Sequence, residues 1–597
     1  MTKLKAELPG PIVPRSRRPK WPLVSAITFF ATWSAWLCLF APSPSLPLSE
    51  RRIRQHSADS EMCVQTSPLI PQKNGSLWNN LTTLHATDDF LARAISQLSV
   101  AVQIPTETFD AMGPIGEDAR WQSRGSFVDH LEKSFQLLHS TLALEKVNTY
   151  GLLYTWQGSD STLKPILLMG HYDVVPVASS SVDQWTHPPY SGHFDGEAIW
   201  GRGSLDDKAG VIGMMMAIEV LLEHKFTPSR TIILSFGFDE EAGGYQGAGH
   251  LAPALLDRFG PNSLAMIVDE GHGYSERYGS VFAVPGIAEK GSVNVEIEVQ
   301  TPGGHSSVPP EHTSIGILAA IIVHLESHAP KSTLQIDTPV FEMAQCFAAH
   351  GSTMPPAIKR SIGRARGSIK DLKAAEEHLV QDRMFRALVE TTQAVDIISG
   401  GVKSNALPEQ AQTVVNHRIA TQSSVNATLS RDTKLVMDLA RKFNLSVTAY
   451  GELLTPPGST YGSVALRAPQ SLDPAPVSPI SAPPFRVLAG SIRTARNTAA
   501  GGRGGGVRCA GALTALLDTR FYWPLSAHIF RYGHRNLLDG TLGGIHTVNE
   551  RMSQVRFLPF SSGADSELMR ADVRADAFVE IITYFTALIL NADEAEL

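Results

Sequence analysis

At 597 residues the chain is too long for one ordinary domain. Hydrophobic residues make up 43% and charged residues 18%, a globular composition able to bury a large core. The net charge is -7, from 58 acidic against 51 basic residues, which argues against a nucleic-acid binder and its basic face.

Lys3, Lys5, Arg15, Arg17, Arg18 and Lys20 precede an uncharged apolar run over residues 21–41. About 20 apolar residues cross a bilayer. The basic flank predicts a cytoplasmic tail over residues 1–20 and a transmembrane signal anchor over 21–41. A cleaved signal peptide is the rival reading, but the run is long for one and no small-x-small cleavage site follows it. Residues 42–87, rich in Ser, Pro and polar residues, read as a stalk. Glycosylation sequons at Asn74, Asn80, Asn426 and Asn444 all lie beyond the anchor and agree with a lumenal body. Of the four cysteines, Cys38 lies in the apolar run. One disulfide among Cys63, Cys346 and Cys509 is open, and no CxxC pair marks a thiolate metal site.

From Asp88 the pattern becomes α/β. Residues 165–170, 231–237 and 264–269 are short apolar runs that suit strands buried on both faces. Residues 210–224, rich in Met and Ala, read as a helix between them. At residues 292–300 the pattern changes to strict alternation, a half-exposed antiparallel strand, followed by a helix near 315–328 and more alternation at 412–419. These predict an α+β domain over 288–450, inserted between catalytic segments 88–287 and 451–597. The chain ends in an amphipathic helix around 576–590. Residues 467–510, Pro-rich and then Gly/Arg-rich, have loop-like composition.

Five segments place metal-type ligands at strand ends or in tight loops, where open α/β sheets carry their sites. His171 follows the first buried run, and Asp173 two residues on is placed to orient its imidazole. Asp206 and Asp207 are adjacent acids after a Gly-rich turn. They are either a solvated turn paired with Lys208 or carboxylates neutralised by a cation. Glu240 and Glu241 end the second run, where acids are costly without a metal or basic partner. Asp269 ends the third run, and His546 follows two glycines. Two histidines with at least three carboxylates suit zinc, with manganese or cobalt as further candidates.

The segments GHYDVVPV, WGRGSLDDKAG, FDEEAGG, VDEG, TPGGHSS and GGIHTVNE resemble, in order and spacing, the co-catalytic zinc family of carboxypeptidase G, aminoacylase and carboxypeptidase S. The resemblance implies a zinc-peptidase mixed sheet flanked by helices with an inserted α+β lid. It implies two zinc ions per chain: one on His171 and Asp269, one on Glu241 and His546, with Asp206 bridging and a cis peptide to Asp207. It implies that Asp173 orients His171, that Glu240 is the general base, and that His305 steadies the oxyanion. Asn405 and Arg418 match lid positions that bind substrate, and Arg520 is a second candidate for clamping a substrate carboxylate. The implied activity is release of C-terminal residues from short peptides in a vacuolar lumen, with a homodimer through the lid. Hydrolysis of N-acyl amino acids and an inactive, membrane-anchored binding relic are the alternatives. The chain departs from the family before Phe521-Tyr522-Trp523, reading Ala-Leu-Leu-Asp-Thr-Arg over 515–520 where relatives read Gly-Asn-Thr-Asp-Thr-Arg.

Overall fold

The computed structural model describes residues 62–455, 460–499, 506–514, 518–537, 544–553 and 577–597. The expected tail and anchor lie outside these residues. No helix among the described residues is long and apolar enough to cross a membrane.

The body begins inside the expected stalk. Helix α1 (Gly75–His85) buries Trp78, Leu81 and His85 along one face, and α2 (Asp88–Val102) follows at once. The Thr87 side chain accepts the Phe90 N–H at the start of α2, with Asp88 and Asp89 in the first turn. Upstream, Cys63 is disulfide-bonded to Cys346, while Cys509 is a buried free thiol. The stalk expected over 42–87 is therefore corrected: from residue 62 the chain is folded. Its polar composition masks a sparse helical spacing of apolar residues.

Strands β1 (Ala143–Val147) and β2 (Gly151–Trp156) form a hairpin. Then come β3 (Ile166–His171), helix α3 (Lys208–Glu223), β4 (Ile232–Gly237), β5 (Met266–Asp269) and β6 (Gly286–Glu289). Every residue of β3, β4 and β5 is buried, as their unbroken apolar runs require. β3 and β4 pair in parallel, from Ile166↔Ile232 to His171↔Gly237, so their carboxyl ends finish together.

A second sheet starts at β7 (Gly291–Gln300). After it come α4 (Ser314–Ser327), four helices α5 (Pro339–His350), α6 (Pro356–Arg364), α7 (Ile369–Leu379) and α8 (Arg383–Val389), and strands β8 (Thr392–Gly400) and β9 (Gln410–Ile419). Helix α9 (Val425–Lys442) and strands β10 (Leu445–Ala449) and β11 (Gly462–Arg467) complete it. Val293, Val295, Ile297 and Val299 of β7 pack with Ile317 and Ile321 of α4 and Val436 of α9, which is why β7 alternates. The insert expected over 288–450 runs on, because β11 and Ser471–Leu472 both pair with β7.

Helix α10 (Pro483–Ala499), strands β12 (Ala512–Thr514) and β13 (Ile529–Arg531) and helix α11 (Ala577–Glu594) return to the first sheet. Its order is β1-β2-β4-β3-β5-β13-β6-β12; the second runs β8-β9-β7-β11-β10, ending on Glu452–Leu453. Helix α10 corrects the loop-like reading of 467–510 over residues 483–499. Phe485, Leu488, Ile492 and Ala495 join the main core with the almost wholly buried α11.

Candidate active site and metal centre

The carboxyl ends of β3, β4 and β5 converge. His171 is the last residue of β3 and is buried. Its Nδ1 lies 3.3 Å from Asp173 Oδ1, and its Nε2 lies 3.2 Å from Glu270 Oε1 and 3.8 Å from Asp206 Oδ1. Asp173 does more than orient this ring. Its Oδ1 accepts the Glu240 backbone N–H at 3.0 Å and its Oδ2 the Glu241 N–H at 3.2 Å. One buried carboxylate thus joins the β3 ligand to the turn carrying both glutamates. Burial opposes ionisation of Asp173, but the His171 contact and the buried Arg124 nearby hold its pKa below the usual carboxylate range.

Glu240–Ala242 form a short helical turn that ends on Gly243 at φ +93°. Arg520 braces this turn: its guanidinium stacks over Tyr245 and Phe521 and donates to the Gly243 carbonyl. Arg520, the second candidate for the carboxylate clamp, is thus engaged at the turn that carries Glu240 and Glu241.

Asp206 sits on the loop before α3, and its peptide bond to Asp207 is cis. Gly203 turns this loop at φ +82°, where an added Cβ would lie 2.6 Å from Val174 Cγ1. Asp206 Oδ2 lies 3.2 Å from His546 Nε2, which is also 3.1 Å from Glu241 Oε1. These two carboxylates raise the His546 pKa to about 10. Two donor groups result: His171, Asp206 and Glu270, and Asp206, Glu241 and His546, each with ligand atoms within 4.8 Å of one another. Asp206 belongs to both. Asp269, the ligand expected from the sequence, belongs to neither; its neighbour Glu270 takes the place beside His171.

Arg535, which sequence reasoning did not select, sits among the acids. Its Nη2 is 3.0 Å from Asp206 Oδ1 and 3.1 Å from both Asp207 Oδ1 and Glu270 Oε2. Burial and the Glu270 charge push the Asp207 pKa up to about 8, and its Oδ2 is buried without a hydrogen-bond partner. Mixed imidazole and carboxylate donors around a shared aspartate, beside an orphaned carboxylate oxygen, fit divalent cations.

The lid residues are not gathered at one place. His305 is exposed and faces Ala406 across a short strand pair, and Ser306 N–H donates to the Asn405 carbonyl. Both positions lie beyond the Gln300 end of β7. Arg418 faces Ser292 at the opposite end. Gln300 lies eight residue steps along the strand from Ser292, about 26 Å at 3.3 Å per residue. A dipeptide spans about 7 Å. His305 and Asn405 therefore lie at the end of β7 opposite Arg418.

Residues 167–562 match the sequence profile of Peptidase family M20/M25/M40. Carboxypeptidase S of Saccharomyces cerevisiae is 38% identical over 498 residues, 83% of this chain and 86% of that protein. The human N-fatty-acyl-amino acid synthase/hydrolase PM20D1 is 31% identical over 487 residues, 77% and 85% of the two chains. The crystal structure of human carnosine dipeptidase 1 shares the fold at a TM-score of 0.54 and 14% identity, covering 87% of this chain and 99% of that one. With this match over most of its length and a two-group donor cluster at the sheet's carboxyl edge, the chain belongs to peptidase family M20/M25/M40.

Proposed function

We propose that the protein is a two-zinc carboxypeptidase that releases the C-terminal residue of short peptides. The observation that carries this is the pair of donor groups sharing Asp206, in a chain 38% identical to carboxypeptidase S. Asp269 stays beside Glu270 as the alternative carboxylate for the His171 group. Bound zinc would act as a Lewis acid on the scissile carbonyl and lower the pKa of a water ligand.

Every other step falls to the chain. Glu240, held by Asp173 through its backbone N–H, takes a proton from the attacking water and returns it to the leaving amine nitrogen as the C–N bond breaks. His305 donates to the developing oxyanion. Arg418 suits the substrate carboxylate, because its planar fork bonds both oxygens, and Asn405 binds the peptide from the side of His305. The strand-length separation supports a homodimer in which a second copy supplies His305 and Asn405. Edge strand β8, with Ile397 58% and Ile398 61% exposed on its two sides, offers an apolar edge for it.

The complete donor set speaks against the relic reading. Product analysis with blocked dipeptides and N-acyl amino acids, with and without chelator, tests the proposal. Chelator-sensitive release of free C-terminal amino acids from the dipeptides supports it. Cleavage of N-acyl amino acids alone would move the assignment to the activity named for the human relative.

The anchor over 21–41, the sequons and the Cys63–Cys346 bond support a single-pass protein with its body in an oxidising lumen, that of the vacuole. Asn80, Asn426 and Asn444 are exposed, whereas Asn74 bonds Glu594 through its amide. Endoglycosidase treatment of the protein from its own cells checks this: an unchanged mobility refutes the glycosylated lumenal form.

A further inference from the structure

Glu550 closes the motif that carries His546, and the reaction outlined above gives it no task. It is fully buried, at 0% exposure. Burying a carboxylate is costly unless it is paired and hydrogen-bonded. Both oxygens are engaged. Oε1 accepts the backbone N–H groups of Gly203, Leu205 and Asp206 at 3.0, 3.1 and 3.2 Å. Oε2 meets Arg202 Nη1 at 2.5 Å. The main chain adds a further tie, since Gly201 N–H donates to the Glu550 carbonyl at 3.0 Å. Successive N–H groups converging in a glycine-rich turn form an anion-binding nest. Here the anion is the protein's own side chain.

The placement of that anion matters. The nest fixes the path of residues 203–206 at the point where Asp206 must serve both donor groups. Asp206 and Glu241 repel each other as like charges, so the loop needs an anchor outside the cluster. Glu550 supplies it from the same segment as His546, four residues away. We propose that Glu550 is a positioning residue that fixes the shared carboxylate of Asp206 relative to His546, and with it the second metal group. The proposal rests on the two-metal reading of the site.

The test uses the folded chain and variants E550Q, E550D and R202K. Zn2+ alone is titrated by competition with a chromophoric chelator. Co2+ alone gives an absorption spectrum of the donor geometry. Unfolding of the metal-free protein, and kcat and KM on a blocked dipeptide, complete the set. E550Q keeps an acceptor oxygen but sets an amide N–H against a donor. At least one of the two Zn2+ affinities should fall about 10–100-fold. The Co2+ spectrum should change and kcat should fall, with KM little altered, while metal-free unfolding reads the separate cost of leaving buried Arg202 without its carboxylate. R202K, which leaves the three Oε1 contacts in place, should keep Zn2+ affinity near that of the parent. E550Q with both Zn2+ affinities intact overturns the proposal. So does R202K losing as much as E550Q, since the ion pair and not the nest would then be responsible. If E550Q does not fold, E550D decides: it keeps the charge and withdraws it by one methylene, and unchanged Zn2+ affinity there overturns the proposal. Zinc titration needs no substrate, so normal Zn2+ loss in the variants with no cleavage by the parent would refute the peptidase assignment alone.

Discussion

Replacing Asp173 by Asn should cripple turnover while leaving the protein folded. The carboxylate is 0% exposed, accepts the backbone N–H groups of Glu240 and Glu241, and lies 3.3 Å from His171 Nδ1, which is also 3.1 Å from the Asp173 backbone carbonyl. An Asn side chain has one acceptor oxygen. Whichever backbone N–H faces the new NH2 loses its acceptor, at about 1–3 kcal/mol. The charge-assisted contact to the imidazole is lost as well, at about 1.5–3 kcal/mol. Together these come to about 2.5–6 kcal/mol. If most of that appears in the transition state, where Glu240 and the His171 group must act together, kcat falls by about 10²–10⁴ at 1.36 kcal/mol per decade. Steady-state kinetics on a blocked dipeptide reads this directly. Metal analysis and thermal unfolding on the same samples separate it from misfolding. D173N with full metal content and kcat within about threefold of the parent, some 0.7 kcal/mol, would refute the role given to Asp173.

Glu240→Gln should retain both metal ions and lose about 10²–10⁴ in kcat, the range of general-base catalysis; metal content beside turnover tests it, and retained turnover removes the base assignment. Burial lowers the His85 imidazole pKa to about 4, from 6.5 in the unfolded chain, so the folded state prefers the neutral ring. That contribution is present above pH 6.5 and is lost as pH falls towards 4, by up to about 3 kcal/mol. His85→Asn should flatten the urea stability profile in this window, and equal slopes in parent and variant would count against it. Cys346→Ser opens the bond between Cys63 and α5, across 283 residues of sequence. A loss of about 2–5 kcal/mol is expected in denaturant unfolding; no shift of the midpoint would show that the bridge constrains little. The double variant I397D/I398D should sediment at half the parent's mass and lose activity. A fully active monomer would show that one protomer needs no second copy.

The parallel strands were legible because short, mainly apolar runs leading to His171, Asp239 and Asp269 suit strands buried on both faces with their polar ends at the sheet edge. β7 was legible because its side chains alternate between a packed and an open face. Three features were not. Asp269 and Glu270 are neighbours at a strand end, and which of them turns towards His171 depends on strand phase, which a run of two acids does not reveal. Helix α10 begins Pro-Pro and is rich in Arg and Thr; its burial comes from α11, almost a hundred residues later in the chain. Arg535 lies in no acidic or glycine-rich motif, and only the fold brings its guanidinium to Asp206, Asp207 and Glu270.

The donors also sort into two preassembled pairs. Asp173 ties His171 to the turn bearing Glu241, at the ends of β3 and β4. Glu550 ties the Asp206 loop to the segment bearing His546. Neither pair holds three ligands. The first donor group takes His171 from one pair and Asp206 from the other, with Glu270 between them; the second takes Glu241 from one and Asp206 with His546 from the other. Each metal position therefore spans the junction of the two pairs. The two buried carboxylates fix geometry within a pair, and the junction itself depends on Arg535 and on the cations the donors fit. An error of 1 Å in either tie would be felt at both positions: Asp173 joins a donor of one group to a donor of the other, and Glu550 holds Asp206, which belongs to both.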